Sequence, residues 1–273
     1  MEIYRDDRFD PAFTKELTLL LHADSHAMQY AVIHAEAQEV MLLADRQLPP
    51  SGNNGTAPLL QLMNQTDELH AAYKAIHLSI SAAPFLLQPS STKSEEATSH
   101  PLLQTGTDTQ WQLDTVKDDV QVAFSISQAR LPLQDIPVTI THTHHVISGL
   151  LATIESQGWS GDHITVLVTH RQMLVVGHQN SHLAFANAFH FSSKDDFIYY
   201  LMLVAEQLHM DQETCTVHLC GALAPEAQIT REIHKFFRNY TFESFGLSRM
   251  FRLTPSDESL SIAMPVLALL PCV

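Results

Sequence analysis

The sequence predicts an α/β protein of two lobes, each built on the same unit. Three observations carry this. Both halves read strand, strand, strand, helix, strand, at an offset of about 145 residues. Each half opens on a continuous apolar run, at 17–21 and again at 164–168, suited to a central strand. Hydrophobic residues make up 45% of the 273, enough to build a real core.

In the first half the strand 17–21 runs into the turn Ala23-Asp24-Ser25-His26, where Asp and Ser supply local backbone hydrogen bonds. Residues 28–34 and 40–44 follow as strands, giving an antiparallel meander. Pro, Ser, Gly and Asn make 49–56 a loop. Leu59, Leu62, Met63, Leu69 and Tyr73 stand near helical spacing in 58–73, and 76–80 returns to a strand. Residues 88–108 are rich in Ser, Thr, Gln and Glu, a composition that predicts a mobile loop. A hairpin at 111–116 and 120–126, a β-branched strand at 138–143 and a helix at 146–157 complete this half; Gly158 stops the helix.

The second half repeats the order. Strands at 164–168, 173–177 and 183–189 are joined by turns at 170–172 and 179–181. Ser192 is placed to cap the next helix, with Asp195 three residues on. Phe197, Tyr200, Leu201, Val204 and Leu208 then share one helix face. A strand at 215–219 ends at Gly221, and a helix at 225–237 has Pro near its first turn. The apolar stretch 262–273 reads as a closing strand or a docked tail.

A three-strand meander followed by helix-linked strands is the ribonuclease H-like unit. Two in tandem give the actin-like ATPase fold, with lobes expected at 1–135 and 136–273 and the helix 146–157 near the junction. Thirty acidic against fifteen basic residues give a net charge of −15, which repels nucleic acid and anionic membrane surfaces. Arg231, Lys235 and Arg238 are the densest cationic cluster, spaced like one solvated helix face. Three irregularly spaced cysteines, Cys215, Cys220 and Cys272, exclude a disulfide framework and suit a reducing cytoplasm. The polar, acidic N-terminus does not read as a signal peptide, and no apolar run reaches the length of a membrane span.

The stretch FHFSSKDDFIYYLMLVAEQLHMDQETCTVHLCG, residues 189–221, resembles the bacterial domain-of-unknown-function family 3822. It shows an aromatic, a polar turn, an acidic-aromatic helix, an acidic linker and the strand His218-Leu219-Cys220-Gly221. The resemblance extends over nearly the whole chain and implies an actin-like ATPase fold. It implies no activity.

Nucleotide-binding members of this fold cradle phosphate at the turn between the first two strands of each lobe, where glycine lets backbone N–H groups approach. Here the first turn has Asp24 and Ser25 but no glycine, and the second, Thr169-His170-Arg171-Gln172, has neither Asp nor Gly. A later glycine pair is reduced to Gly221 followed by Ala222. Asp24, Ser25, Arg171 and Gly221 are therefore the cofactor-binding candidates, for ATP with magnesium. The run Thr141-His142-Thr143-His144-His145 puts His142 and His144 on one strand face, yet no third ligand stands near in sequence, and a zinc site needs three or four. We read these as strand-end histidines and expect no metal there; a distant ligand in space stays an alternative. Nucleophile motifs and Gly-Lys-Ser/Thr loops are absent.

The reading is a non-catalytic actin-like pseudo-ATPase, without catalytic residues or cofactor, acting in the cytoplasm as a scaffold or a module for an unidentified protein partner. The alternative is a diverged nucleotide-binding protein or ATPase. A metal-dependent phosphodiester enzyme ranks last, because the central strands carry no carboxylates.

Overall fold

Thr18–Ala23 (β2) is buried at every position. Ala27–His34 (β3) and Glu39–Gln47 (β4) follow it in an antiparallel meander, and Ala75–Ile80 (β5) lies parallel to it on the other side. These assignments come from a computed structural model, which describes residues 2–24, 26–48, 57–81, 84–92, 109–117, 119–127, 135–170, 172–251 and 255–273. Glu2–Arg5 (β1) and His142–His145 (β9) complete a six-stranded sheet in the order β1-β4-β3-β2-β5-β9.

The second sheet repeats that order without the extra edge strand. His163–Val168 (β10), Gln172–Gln179 (β11), His182–His190 (β12), Thr216–Gly221 (β13) and Asn239–Phe242 (β14) lie as β12-β11-β10-β13-β14. The repeat reaches the residue level. Thr18 pairs with Ala75 as His163 pairs with Thr216, and Leu20 pairs with His77 as Thr165 pairs with His218. Even the irregularity is duplicated: one β-bulge falls between Val32 and Ile33, the other between Gly177 and His178, at the same step of each hairpin. Leu19, Leu21, Ile33, Ile80, Val166, Val168, Phe197, Leu201 and Val217 are all buried, as the strand and helix patterns require.

The connections differ. In the first lobe, helix α1 (Ala57–Asn64) and the 3-10 turn Asp67–His70 lead from β4 to β5. The helix expected over 58–73 stops at Asn64, where Thr66 Oγ1 bonds back to Leu62 O at 2.8 Å. Between β5 and β9 lies a three-stranded sheet, Phe85–Pro89 (β6), Thr109–Lys117 (β7) and Val120–Ser127 (β8), ordered β6-β8-β7. Gln88 and Pro89, expected in the mobile loop, are thus paired strand; residues 93–108 of that loop lie outside the described residues. The strand expected at 138–143 forms instead at His142–His145, parallel to β5, and runs directly into helix α2 (Val146–Glu155).

In the second lobe, helix α3 (Lys194–Gln207) links β12 to β13, and helix α4 (Gln228–Phe236) links β13 to β14. Ser193, not Ser192, caps α3. Its side chain accepts from Asp196 N while the Asp196 carboxylate accepts from Ser193 N, a complete capping box one residue later than expected. Pro225 falls in the turn before α4, and Arg238 falls beyond its end, where it pairs with Glu213 at 3.4 Å. The three cations therefore do not share a helix face.

The C-terminal stretch is helical rather than a strand: α5 (Leu247–Met250) is followed by α6 (Asp257–Ile262), α7 (Met264–Leu267) and the 3-10 turn Leu270–Cys272. Its prolines sit in first turns, where the missing N–H costs nothing. A Cβ on Gly149 of α2 would lie 2.0 Å from Ala268 O, so that glycine admits the tail against the helix. The chain divides into one unit of residues 1–152, 249–254 and 266–273 and another of 153–248 and 255–265. The boundary expected at 135/136 differs from this, since β9 belongs to the first sheet and the tail returns to the first unit.

Candidate functional site

Asp24 follows the last residue of β2, where the first phosphate turn would lie. Its Oδ1 accepts the backbone N–H groups of His26 at 2.7 Å and Ala27 at 2.8 Å, and its own N–H donates to Ala27 O at 3.0 Å. Two N–H groups of this turn, those of His26 and Ala27, are thus already aimed at the Asp24 carboxylate. Asp24 Oδ2 lies 4.0 Å from Nε2 of His22, whose Nδ1 meets Ser79 Oγ at 2.7 Å. Burial holds the His22 imidazole below its ordinary value against the opposing pull of Asp24 and Asp45. Ser25 lies outside the described residues.

The corresponding turn of the second unit is closed differently. Thr169 donates to Gln172 O through both its N–H, at 2.9 Å, and its Oγ1, at 3.3 Å. Arg171 lies outside the described residues. Gly221, at the end of β13, has φ +91, and a Cβ there would stand 2.0 Å from Val168 O. Ala222 N donates to that same oxygen at 2.7 Å. Strand packing alone thus accounts for glycine at this position. Asp24 belongs to the first unit and Gly221 to the second.

The histidines form two chains that sequence spacing did not reveal. In the first unit Asp114, from β7, reaches across to β9 and α2. Its Oδ1 meets His144 Nδ1 at 3.1 Å, and its Oδ2 accepts from His145 N at 2.9 Å and Ser148 Oγ at 2.6 Å. His144 Nε2 in turn meets His77 Nδ1 at 3.1 Å. Burial and the two neighbouring imidazoles, His144 and His142, hold His77 down to about 4, so it is neutral. The pattern then assigns the His77 proton to Nδ1, donating to His144, and the His144 proton to Nδ1, donating to Asp114. Ser148 bonds the carboxylate and not an imidazole, so this is not the order of a nucleophilic triad. Beside it a cleft of about 890 Å³ is lined by residues 112–114 and 136–144.

In the second unit His163 Nε2 donates to Ser160 O at 2.7 Å, His163 Nδ1 meets His218 Nε2 at 2.9 Å, and His218 Nδ1 meets Glu243 Oε1 at 2.8 Å. The ring nitrogens of His163 and His218 thus link Ser160 O to the Glu243 carboxylate. The Trp159 indole stacks on the His218 ring, with centroids 3.7 Å apart and planes 10° from parallel. Among the described residues no group of three or more His, Cys, Asp or Glu is arranged to hold a metal ion.

The sequence model of the family described as "Protein of unknown function (DUF3822)" matches residues 6–240. The chain belongs to the DUF3822 family. Among solved structures, a Bacteroides thetaiotaomicron protein with actin-like ATPase fold and unknown function is similar at 20% identity and a TM-score of 0.77, over 97% of this chain and 99% of that one. A chain of the PilM–PilN type IV pilus biogenesis complex is similar at 11% identity and a TM-score of 0.58, over 92% of this chain and 98% of that one. A search of curated proteins finds no match. This DUF3822 chain accordingly has the actin-like ATPase fold. Sequence reading placed Asp24 and Gly221 at the ends of their strands, but missed His77, Asp114, His163, His218 and Glu243. The one available signal was a histidine at the third position of both β5 and β13.

Proposed function

We propose that this DUF3822 protein is a non-catalytic member of the actin-like fold that works as a scaffold or partner-binding module. The carrying observation is the Asp24 turn. A phosphate-binding turn offers its N–H groups outward and keeps its carboxylate for magnesium, whereas here each occupies the other. Opening the turn would leave two N–H donors and a carboxylate to be satisfied anew. The similar chain was solved within the PilM–PilN type IV pilus biogenesis complex, which supports a partner-binding use of the same fold without naming a partner for this chain.

A cytoplasmic setting accords with three free cysteines. Burial and the nearby Asp114 carboxylate push the Cys272 thiol up to about 12, which keeps it unreactive. Among the described residues no helix is long and apolar enough to cross a membrane. The charge of −15 argues against nucleic acid as the partner. Thermal melting with ATP, ADP and Mg²⁺ tests the reading, because a ligand of the folded state raises the midpoint. We expect an unchanged midpoint; a nucleotide-dependent rise favours the diverged nucleotide-binding alternative, with Asp24 and Gly221 as its described candidates.

A further inference from the structure

Three reverse turns lead from β1 into β2, each closed by one backbone bond: Phe9 N to Asp6 O at 3.0 Å, Phe13 N to Asp10 O at 3.0 Å, and Leu17 N to Thr14 O at 2.8 Å. Their inner corners are anchored. Phe9, Thr14 and Leu17 are buried, the Arg5 guanidinium lies 5.2 Å from the Phe9 ring centroid, and Thr14 Oγ1 donates to Ala72 O at 2.7 Å. Asp6 N donates to Met41 O at 2.9 Å and Lys74 N to Leu17 O at 2.8 Å, so the segment is tied to β4 at one end and beside β5 at the other. The second sheet has no strand equivalent to β1, so the duplicated fold does not itself require this segment.

The outer corner is apolar. Pro11, Ala12 and Phe13 form a 3-10 turn in which no residue is buried, and Phe13, at 77%, is the most exposed large hydrophobic side chain among the described residues. One exposed apolar side chain is ordinary; three in succession on a fixed turn are not. The turn is held out rather than loose. Asp10 caps it, its Oδ1 accepting from Ala12 N at 2.9 Å, and the Pro11 ring fixes φ in the first turn. An aromatic ring on backbone that is already ordered gives up little freedom on docking, which suits it as an anchor.

Charge indicates what the anchor meets. The exposed charged residues flanking it are Asp7, Arg8, Asp10, Lys15 and Glu16. Arg8 is engaged by Asp6 at 2.8 Å and Glu39 at 3.0 Å, which leaves three carboxylates against Lys15. The whole chain carries −15, so the surroundings of the ring are acidic at short and at long range. We propose that the Pro11-Ala12-Phe13 turn is a docking hook, whose Phe13 ring enters an apolar pocket rimmed by Lys or Arg on a basic partner protein. A second copy of this acidic chain is repelled rather than attracted, and so is an anionic membrane surface. The hook rests on the partner-binding reading above and names the partner's chemistry. Nucleotide binding would sink the pseudo-ATPase half of that reading and leave the hook standing.

The test uses the full chain and a fluorescently labelled amphipathic leucine–lysine peptide, with a leucine–glutamate peptide as its counterpart, read by anisotropy at low and high salt. We expect micromolar binding of the leucine–lysine peptide, weakened by salt, and none of the leucine–glutamate peptide. Phe13→Ser should weaken binding by about tenfold or more, and Phe13→Lys should abolish it, both with unchanged circular dichroism and melting midpoint, since the side chain is exposed. The pair Asp7→Lys and Glu16→Lys gives an independent reading, weakening binding with Phe13 in place. Absence of binding overturns the proposal. So does binding that Phe13→Ser leaves unchanged, or equal binding of the leucine–glutamate peptide. Sedimentation and vesicle flotation close the other cases: self-association, or attachment to zwitterionic or anionic lipid, that disappears with Phe13→Ser assigns the ring to a second copy or to a membrane, and the basic partner is then wrong.

Discussion

His77 and His218 are the same residue of the two duplicated sheets: each is third in its strand, beside Leu20 or Thr165, and each bonds through Nδ1 to a side chain near the neighbouring strand's end. The partner has diverged. His77 meets the imidazole of His144 at 3.1 Å, and His218 meets the carboxylate of Glu243 at 2.8 Å. Counting along β9 and β14, His144 and Glu243 also occupy equivalent positions. One lobe thus ends its chain on an acceptor at the sheet itself, while the other needs Asp114 from the inserted sheet to do so.

Asp114 is expected to tie that inserted sheet to the first lobe. Its two oxygens accept from three groups, one of them the Ser148 hydroxyl at 2.6 Å. Asp114→Asn turns an NH₂ group toward a donor, and should cost about 2 kcal/mol or more in urea unfolding. A loss below about 0.5 kcal/mol contradicts the assignment.

Stability should depend on pH through His77. Its folded-state value of about 4 lies below the ordinary 6.5, so between those values the unfolded chain binds the extra proton. The associated stability is full above 6.5 and is lost as pH falls toward 4. His77→Gln removes this titration. The variant should start less stable at neutral pH and lose less than the parent on acidification from about pH 7 to about pH 5. Parallel pH profiles would refute the role given to His77.

Gly221 and Gly158 both have positive φ, +91 and +61, yet only Gly221 faces backbone where a Cβ would project. Gly221→Ala should destabilise by more than about 2 kcal/mol, through the clash with Val168 O added to strain. Gly158→Ala should cost about 1–2 kcal/mol, from strain alone. Equal losses in denaturant titrations would show that packing on Val168 does not decide the residue at 221.

The meanders were legible because β2, β3, β10 and β11 are dense apolar runs set apart by short polar turns. Edges were not. Asn239–Phe242 is four residues long, and Glu2–Arg5 is held by pairing with β4 rather than by its own pattern. The tail 262–273 was left open between a closing strand and a docked tail because an apolar stretch reads alike as buried strand and buried helix; it docks on α2 as helical turns. Asp24 was visible as a turn residue, but whether its carboxylate faces its own backbone or outward depends on local geometry that spacing does not encode. The histidine chains depend on parallel strand register and on Asp114 arriving from another sheet, so His142 and His144 were noticed without the partner that holds His144 in place.

The central claim is that the Asp24 turn is closed and the protein neither binds nor turns over ATP. Titration calorimetry of the full chain with ATP and Mg²⁺ tests it most directly. The account predicts no measurable heat of binding and no phosphate release, with Asp24→Ala lowering stability but leaving the nucleotide result unchanged. Micromolar binding that Asp24→Ala weakens would show the turn opens to phosphate, and turnover lost on that substitution would contradict the non-catalytic reading outright.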